Sequence, residues 1–333
     1  MANESGQPLI DKTSSGKDRK WRERKIKNID LAEIMEEIGI SENKALRVMN
    51  CAETLIFTKD LQNADQLHLK QTYFCKNKLC PICSWRKSLL NAHQLAEVIA
   101  VASDMHPTAR LLMLTLTLKN CDGASIKQSL DTLNKGWRKM LKYKAIKKVV
   151  IGYFKSLEIT YNAKSDSFHP HLHILLMVKA SYFGDNYIKQ PKWAELWQRA
   201  TGVTYTPIID IRTAYTKDKN GKKQNITNLK KQNPRKAINE VTKYISKPLG
   251  AYKPDELDRD TKLKTVYALL VGLKRKKHIA YGLLFRDIHN KLHKEDDDCD
   301  LIVIDDDNAD GDGKNAMEIV ARWNWDRYNY YID

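Results

Sequence analysis

The sequence predicts an α+β protein organised round a central antiparallel sheet, with flanking helices and a helical, cysteine-bearing region near the N-terminus. Three observations carry this. "ARLLMLTLTLKN" (109–120) alternates apolar and β-branched residues as a buried strand does. "GYFKSLEITYN" and "HPHLHILLMVK" are two further strand patterns joined by the polar turn "AKSDS", which makes a hairpin. Helical periodicity fills the intervals, giving the order helix, strand, helix, hairpin, helix, strand, helix.

In chain order, residues 1–28 read as a basic flexible arm, with "KDRKWRERKIK" solvated. Residues 29–105 form the helical and zinc-binding region. There "NIDLAEIMEEIGISENKALRVMNC" holds two short amphipathic helices, with Asp30 placed as an N-cap and "GISEN" as the turn, a pair that would also suit a helix-turn-helix. A cysteine-rich stretch (51–85) and the helix "SWRKSLLNAHQLAEVIAVASDM" follow. Residues 106–290 hold the sheet. Within them "SIKQSLDTLNKGWRKMLKYKAIKK" reads as one long basic amphipathic helix, 191–201 as a Trp-bearing helix and "TYTPIIDIRTAY" as a strand. "TKDKNGKKQNITNLKKQN" is a lysine-rich loop. "PRKAINEVTKYISKP" is a helix with Asn233 at its N-cap, Pro234 at its first position and Pro248 ending it. "TVYALLVGLKRKKHIAYGLL" reads as one more helix, and 291–333 as an acidic C-terminal tail.

Lysine and arginine number 57 against 41 acids, a net +16. Residues 295–312 carry ten of those acids and no base, so the rest of the chain stands at about +26. Such a surplus favours a polyanionic partner, nucleic acid first, because neutralising phosphates releases condensed counterions. No apolar run approaches the roughly 20 residues a membrane helix needs, and the N-terminus lacks a signal-peptide apolar stretch, so a cytoplasmic protein without membrane contact is expected.

Six cysteines in such a chain point to metal rather than disulfides. "FCKNKLCPICSW" sets Cys75, Cys80 and Cys83 as C-x4-C-P-x-C, whose tight second half lets two thiolates chelate one tetrahedral ion. A closed structural Zn2+ site needs a fourth ligand. Cys51 is favoured, with His68 as the alternative.

Side chains alternate along a strand, so His171 and His173 share a face, some 6 to 7 Å apart, while Leu172 points to the core. His169 has the same parity, but Pro170 is expected to interrupt the strand and throw it off the face. Glu158 lies between Leu157 and Ile159 on the preceding strand, where a hairpin would bring it beside the histidines. Two imidazoles and a carboxylate with open positions suit Mg2+ or Mn2+ bridging to a phosphate oxygen, and Zn2+ is compatible with the same donors. On "PRKAINEVTKYISKP", Glu240, Tyr244 and Lys247 fall at i, i+4 and i+7, one helical stripe. A phenol with a free pKa near 10 needs a cation such as Lys247 to favour its phenolate.

Taken together, "LLMLTLTL", "HPHLHILL" and "EVTKYISK", in this order, resemble the three motifs of the HUH endonuclease superfamily, specifically rolling-circle plasmid replication initiators. "CKNKLCPICSWRKS" is similar to the cysteine-rich stretch of one branch of that family, and the likeness covers about residues 45–285. The resemblance implies an HUH-type sheet in a nicking domain at 106–290, with His171, His173 and Glu158 holding a catalytic divalent ion. It makes Tyr244 the nucleophile that attacks a phosphodiester at the double-strand origin, stays on the 5′ phosphate and leaves a 3′ hydroxyl primer. Two-tyrosine members carry a second tyrosine one helical turn away. Here that position is Glu240, which implies a single-tyrosine enzyme in which the acid activates water for the terminating cleavage. In conjugative relaxases the tyrosine precedes the histidines, whereas Tyr244 follows them.

Expected DNA contacts are Arg86 and Lys87 after the cysteines, and Arg235, Lys236 and Lys243 around the tyrosine. The partners implied are plasmid origin DNA with its single-stranded nick site and, through the resemblance, host helicase and polymerase. A homodimer is compatible with the sequence. The alternative from another class is a non-catalytic, zinc-containing DNA-binding repressor on the same scaffold, and an RNA-binding zinc protein would leave the Glu/Tyr/Lys stripe unused.

Overall fold

The computed structural model describes residues 6–13, 15–60, 67–217, 223–225, 257–293, 301–302 and 316–332. The chain divides into two compact units, Met1–Leu90 with Asp296–Asp333 and Asn91–Glu295, the division falling within one helix. Both contain a five-stranded antiparallel sheet, as the α+β expectation requires. No helix among the described residues is long and apolar enough to cross a membrane.

In the first unit, β1 (Gln7–Pro8) is followed by α1 (Trp21–Glu37), α2 (Glu42–Met49), β2 (Thr54–Asp60) and β3 (Leu67–Thr72), and the start of α3 (Pro81–Met105). Strands β11 (Ala316–Asn324) and β12 (Asn329–Ile332) complete the sheet in the order β1-β12-β11-β2-β3. Two expectations are corrected here. The arm at 1–28 is not free: β1 pairs with β12, and α1 begins at Trp21 and runs through Asp30, which is therefore no N-cap. The reason is that α1 buries polar residues. Lys25 Nζ donates to the carbonyls of Met49 and Cys51, and Asn28 to that of Val48, so α1 satisfies the carbonyls left over at the end of α2 while hiding its own periodicity. The tail at 291–333 likewise ends in a paired hairpin, with Val320 opposite Ile56 and Trp323 opposite Tyr330. The expected domain boundaries at 28, 105 and 290 therefore do not coincide with the compact units.

The second unit carries β4 (Arg110–Thr117), α4 (Ile126–Met140), α5 (Lys144–Val149), β5 (Val150–Asn162), β6 (Ser167–Val178), α6 (Gln190–Thr201), β7 (Ile209–Thr213), α7 (Arg259–Gly272), β10 (Ile279–Leu283) and α8 (Leu284–Leu292). Its sheet runs β10-β5-β6-β4-β7, and a small separate pair joins β8 (Tyr215–Lys217) to β9 (Lys223–Asn225). The basic helix at 125–148 is thus two helices, broken at Leu141–Tyr143. The helix expected over 265–284 is instead α7, a turn with Arg275 at φ 58°, and the edge strand β10 on β5. β-Branched and aromatic residues in "IAYGL" favour that strand once an open edge is present.

Each face of this sheet has its own cover. Leu112, Leu114, Leu116, Leu157, Leu172 and Ile174 point to the side where Trp137 of α4 packs edge-on against Tyr153 of β5. The opposite face splits in two. Its apolar half, with Leu111, Met113, Phe154, Leu175 and Met177, is covered by the second half of α3 and by Phe285 and Ile288 of α8. Its other half carries the histidines.

Candidate functional site

On that polar half the register sets Glu158 of β5 opposite His171 of β6, with Ser156 and Thr115 on either side of His173. Glu158 Oε2 lies 2.8 Å from His173 Nε2 and 3.3 Å from His171 Nε2. One ligand atom from each of the three residues falls within 4.8 Å of the others. The rings tilt together to 4.8 Å between centroids, nearer than strand spacing alone suggests.

The strand continues straight through Pro170, which pairs with Ile159, contrary to the interruption expected there. Phe168 N donates toward Cys121, so the N–H positions of this parity face the β4 side of β6. β4 ends opposite His171, so at Pro170 no ladder acceptor awaits the missing N–H. His169 stays outside the group for a different reason: its Nδ1 lies 2.8 Å from Asn120 Oδ1. Its backbone carbonyl has a role instead. It lies 3.1 Å from His171 Nδ1, and because a carbonyl only accepts, that nitrogen carries the proton. Thr115 Oγ1 sits 3.1 Å from His173 Nδ1. These outer contacts aim both Nε2 atoms at Glu158. "LTLTL" already places Thr115 on a polar parity, a signal that pairing with the histidine strand makes specific.

Hydrogen bonds from His171, then His173, hold the Glu158 carboxyl well below the usual carboxylate range despite its partial burial. In place of those hydrogen bonds, a divalent ion could take the two Nε2 lone pairs and a Glu158 oxygen, and this donor set would leave positions open for other oxygens. The residues fit a divalent ion.

The second cluster lies in the first unit. Cys51 follows α2, Cys75 follows β3, Cys80 immediately precedes α3 and Cys83 lies in its first turn. All four are buried, and their sulfurs lie 3.5 Å (Cys51–Cys83), 3.6 Å (Cys75–Cys83) and 3.7 Å (Cys51–Cys80) apart. A tetrahedron of sulfurs about 2.3 Å from a central ion has edges of about 3.8 Å, so the cage has the right size. The backbone N–H groups of Cys75 and Cys83 donate to Cys51 Sγ and Cys80 Sγ. Thiol hydrogen bonds push Cys75 down, whereas burial pushes Cys80 up and hydrogen bonds from Cys51 and Cys75 push Cys83 up. Four buried sulfurs at this spacing could hold one tetrahedral metal ion as thiolates. Cys51 is a member, and His68, on β3, is not.

Of the expected DNA contacts, Arg86 is corrected: it is buried, its guanidinium donating to the carbonyls of Leu301 and Ile302, 2.8 Å each. An arginine held by two backbone acceptors inside a unit is structural. Lys87 is half-buried. Tyr244, Glu240, Lys247, Arg235, Lys236 and Lys243 lie outside the described residues.

A family model described as Replication protein matches residues 66–331. The chain belongs to the Replication protein family. Among curated relatives of this family member, "Protein rep" of Streptococcus pneumoniae serotype 2 (strain D39 / NCTC 7466) is 37% identical over 97% of this chain and 95% of its own length. "Protein rep" of Lentilactobacillus hilgardii is 38% identical over 97% and 98%. A "Replication protein" of Staphylococcus aureus is 37% identical over 72% of this chain and 97% of its own length. No solved structure matches the chain.

Proposed function

We propose that this member of the Replication protein family is a plasmid rolling-circle replication initiator that binds the double-strand origin, nicks one strand by tyrosine transesterification and ends replication with a second cleavage. The convergence of Glu158, His171 and His173 on the polar half of an antiparallel sheet carries this reading. Mg2+ or Mn2+ held there would supply Lewis acidity and an anchor for a phosphate oxygen.

The chain's own residues do the rest. Tyr244 is the nucleophile: its phenolic oxygen bonds to phosphorus as the bond to the 3′ oxygen breaks. The enzyme is left on the 5′ phosphate, and a proton equivalent to the one lost by the phenol completes the 3′ hydroxyl. Lys247, three residues on in the sequence, favours the phenolate. Glu240 activates water for the terminating cleavage, so the enzyme is released rather than left covalently loaded. The His169 carbonyl keeps the His171 proton on Nδ1, and Thr115 orients the His173 ring. Lys87, Arg235, Lys236 and Lys243 contact phosphates, and the Cys51/Cys75/Cys80/Cys83 cage holds a structural Zn2+. Host helicase and polymerase act on the strand so opened, and a homodimer is compatible with this scheme.

The test is a supercoiled plasmid carrying the cognate origin, incubated with Mn2+ or Mg2+. Wild type should convert it to the nicked form, while His173→Ala and Tyr244→Phe should not. Nicking that survives loss of the histidines would sink the metal assignment. Origin binding by wild type without any nicking would favour the repressor.

A further inference from the structure

We propose that α4, α5 and the turn at 274–277 form a second DNA-contact track, which grips the phosphates of double-stranded DNA on the sheet face opposite the histidine site. It rests on the proposed function only in taking DNA as the partner. Between residues 127 and 148 the chain places eight lysines and arginines, all exposed, and a single acid, Asp131. On α4, Lys127, Asp131, Lys135 and Arg138 recur at intervals of four, four and three residues, and Lys142 follows four later, which is one helical stripe. From Lys127 to Arg138 it spans roughly 17 Å at the helical rise, the axial length of about five base pairs.

The stripe's one acid is already engaged. Asp131 pairs with Lys276, and this draws the turn bearing exposed Lys274, Arg275 and Lys277 to the same side. The other side of α4 is fixed in the core: Leu130, Leu133, Trp137 and Met140 are buried, and Asn134 accepts from Lys155 Nζ on β5. Lys155 and Tyr153 have the strand parity opposite to Glu158, which puts the track on the far face from the metal group.

Three features select duplex DNA. The stripe's exposed side chains are cations without aromatic residues, whereas single-strand platforms stack bases on aromatics. The apolar side of α4 is occupied by the protein core, so the helix cannot lie in a membrane interface. Charge without base-reading groups matches a sequence-independent phosphate grip. Such a track would hold origin-flanking duplex while the opposite face handles the nick site.

The experiment compares the full-length protein with K135Q/R138Q/K142Q/K147Q in binding a 40-base-pair duplex lacking the origin, titrated over salt. Each lost phosphate contact should flatten the slope of log K against log salt by about 0.9, so loss of all four should change it by about 3.6, with at least about a tenfold loss of affinity at low salt. Cleavage of a short single-stranded nick-site oligonucleotide should be unchanged in the variant. Wild-type slope and duplex affinity in a folded variant would overturn the proposal, as would a variant that loses affinity for anionic vesicles or RNA yet keeps it for duplex DNA. Because duplex binding is read without cleavage, failure of the nicking reading would leave this result standing by itself.

Discussion

His171 and His173 owe their reach to neighbours that touch no substrate. The His169 carbonyl and Thr115 Oγ1 each lie 3.1 Å from an Nδ1 atom, and that contact decides which nitrogen faces Glu158. Thr115→Val keeps the side-chain shape and removes the hydroxyl, so Mn2+ affinity measured by calorimetry should fall about tenfold or more, in line with outer contacts at metal sites elsewhere. An unchanged affinity would show that packing alone holds the His173 ring. Lys155, on the other face, is buried, and burial lowers its pKa from 10.5 to about 8, with the Arg138 charge adding to the effect. Below about pH 8 both folded and unfolded chains bind that proton, and the folded state bears the desolvation cost. Between about 8 and 10.5 only the unfolded chain binds it, so stability rises with pH. Denaturation of wild type and Lys155→Met across this window should therefore show the difference moving toward wild type by up to about 3 kcal/mol. A pH-independent difference would contradict a buried, charged lysine. That Glu158, His171 and His173 share one face was legible because strand alternation is a strict rule. Thr115 became specific only with the β4–β6 register in hand, and Arg86 misled because a surface arginine and one holding two carbonyls look alike in sequence.

Among the elements, β4, β5, β6, α3 and α6 follow from local pattern, while β10 does not. "HIAYGLL" adjoins a helical run, and only the open edge of β5 turns it into a strand. Its placement brings α8 over Gly152, where an added Cβ would sit 2.6 Å from Phe285 Cδ1. Gly152→Ala should consequently cost about 1–3 kcal/mol in chemical denaturation, since the ring is part of the core and cannot step aside. A neutral substitution would mean that α8 packs there loosely. α1 is hidden in the sequence for the converse reason: its inward face carries Lys25 and Asn28, which serve the end of α2, so apolar periodicity begins only after the helix has started.

Over the whole molecule, the first unit was the least legible because its sheet joins β2 to β11, strands more than 250 residues apart that no local pattern links. The cysteine cage sits in that unit, and its four ligands come from three separate segments. Cys80→Ser should therefore lower bound zinc and, in hydrogen exchange, release α1, β2 and β11 while β4, β5 and β6 keep their protection. Uniform loss of protection in both units would contradict a structural ion serving the first. Whether the histidine face and Tyr244 together break a DNA phosphodiester is tested most directly by trapping the covalent product. After reaction of the full-length protein with origin plasmid and Mn2+, nuclease digestion and peptide mass spectrometry should find the 5′-phosphonucleotide on Tyr244, and none in Tyr244→Phe or His173→Ala. A nicked plasmid with no protein–DNA adduct, or an adduct that persists in Tyr244→Phe, would contradict it.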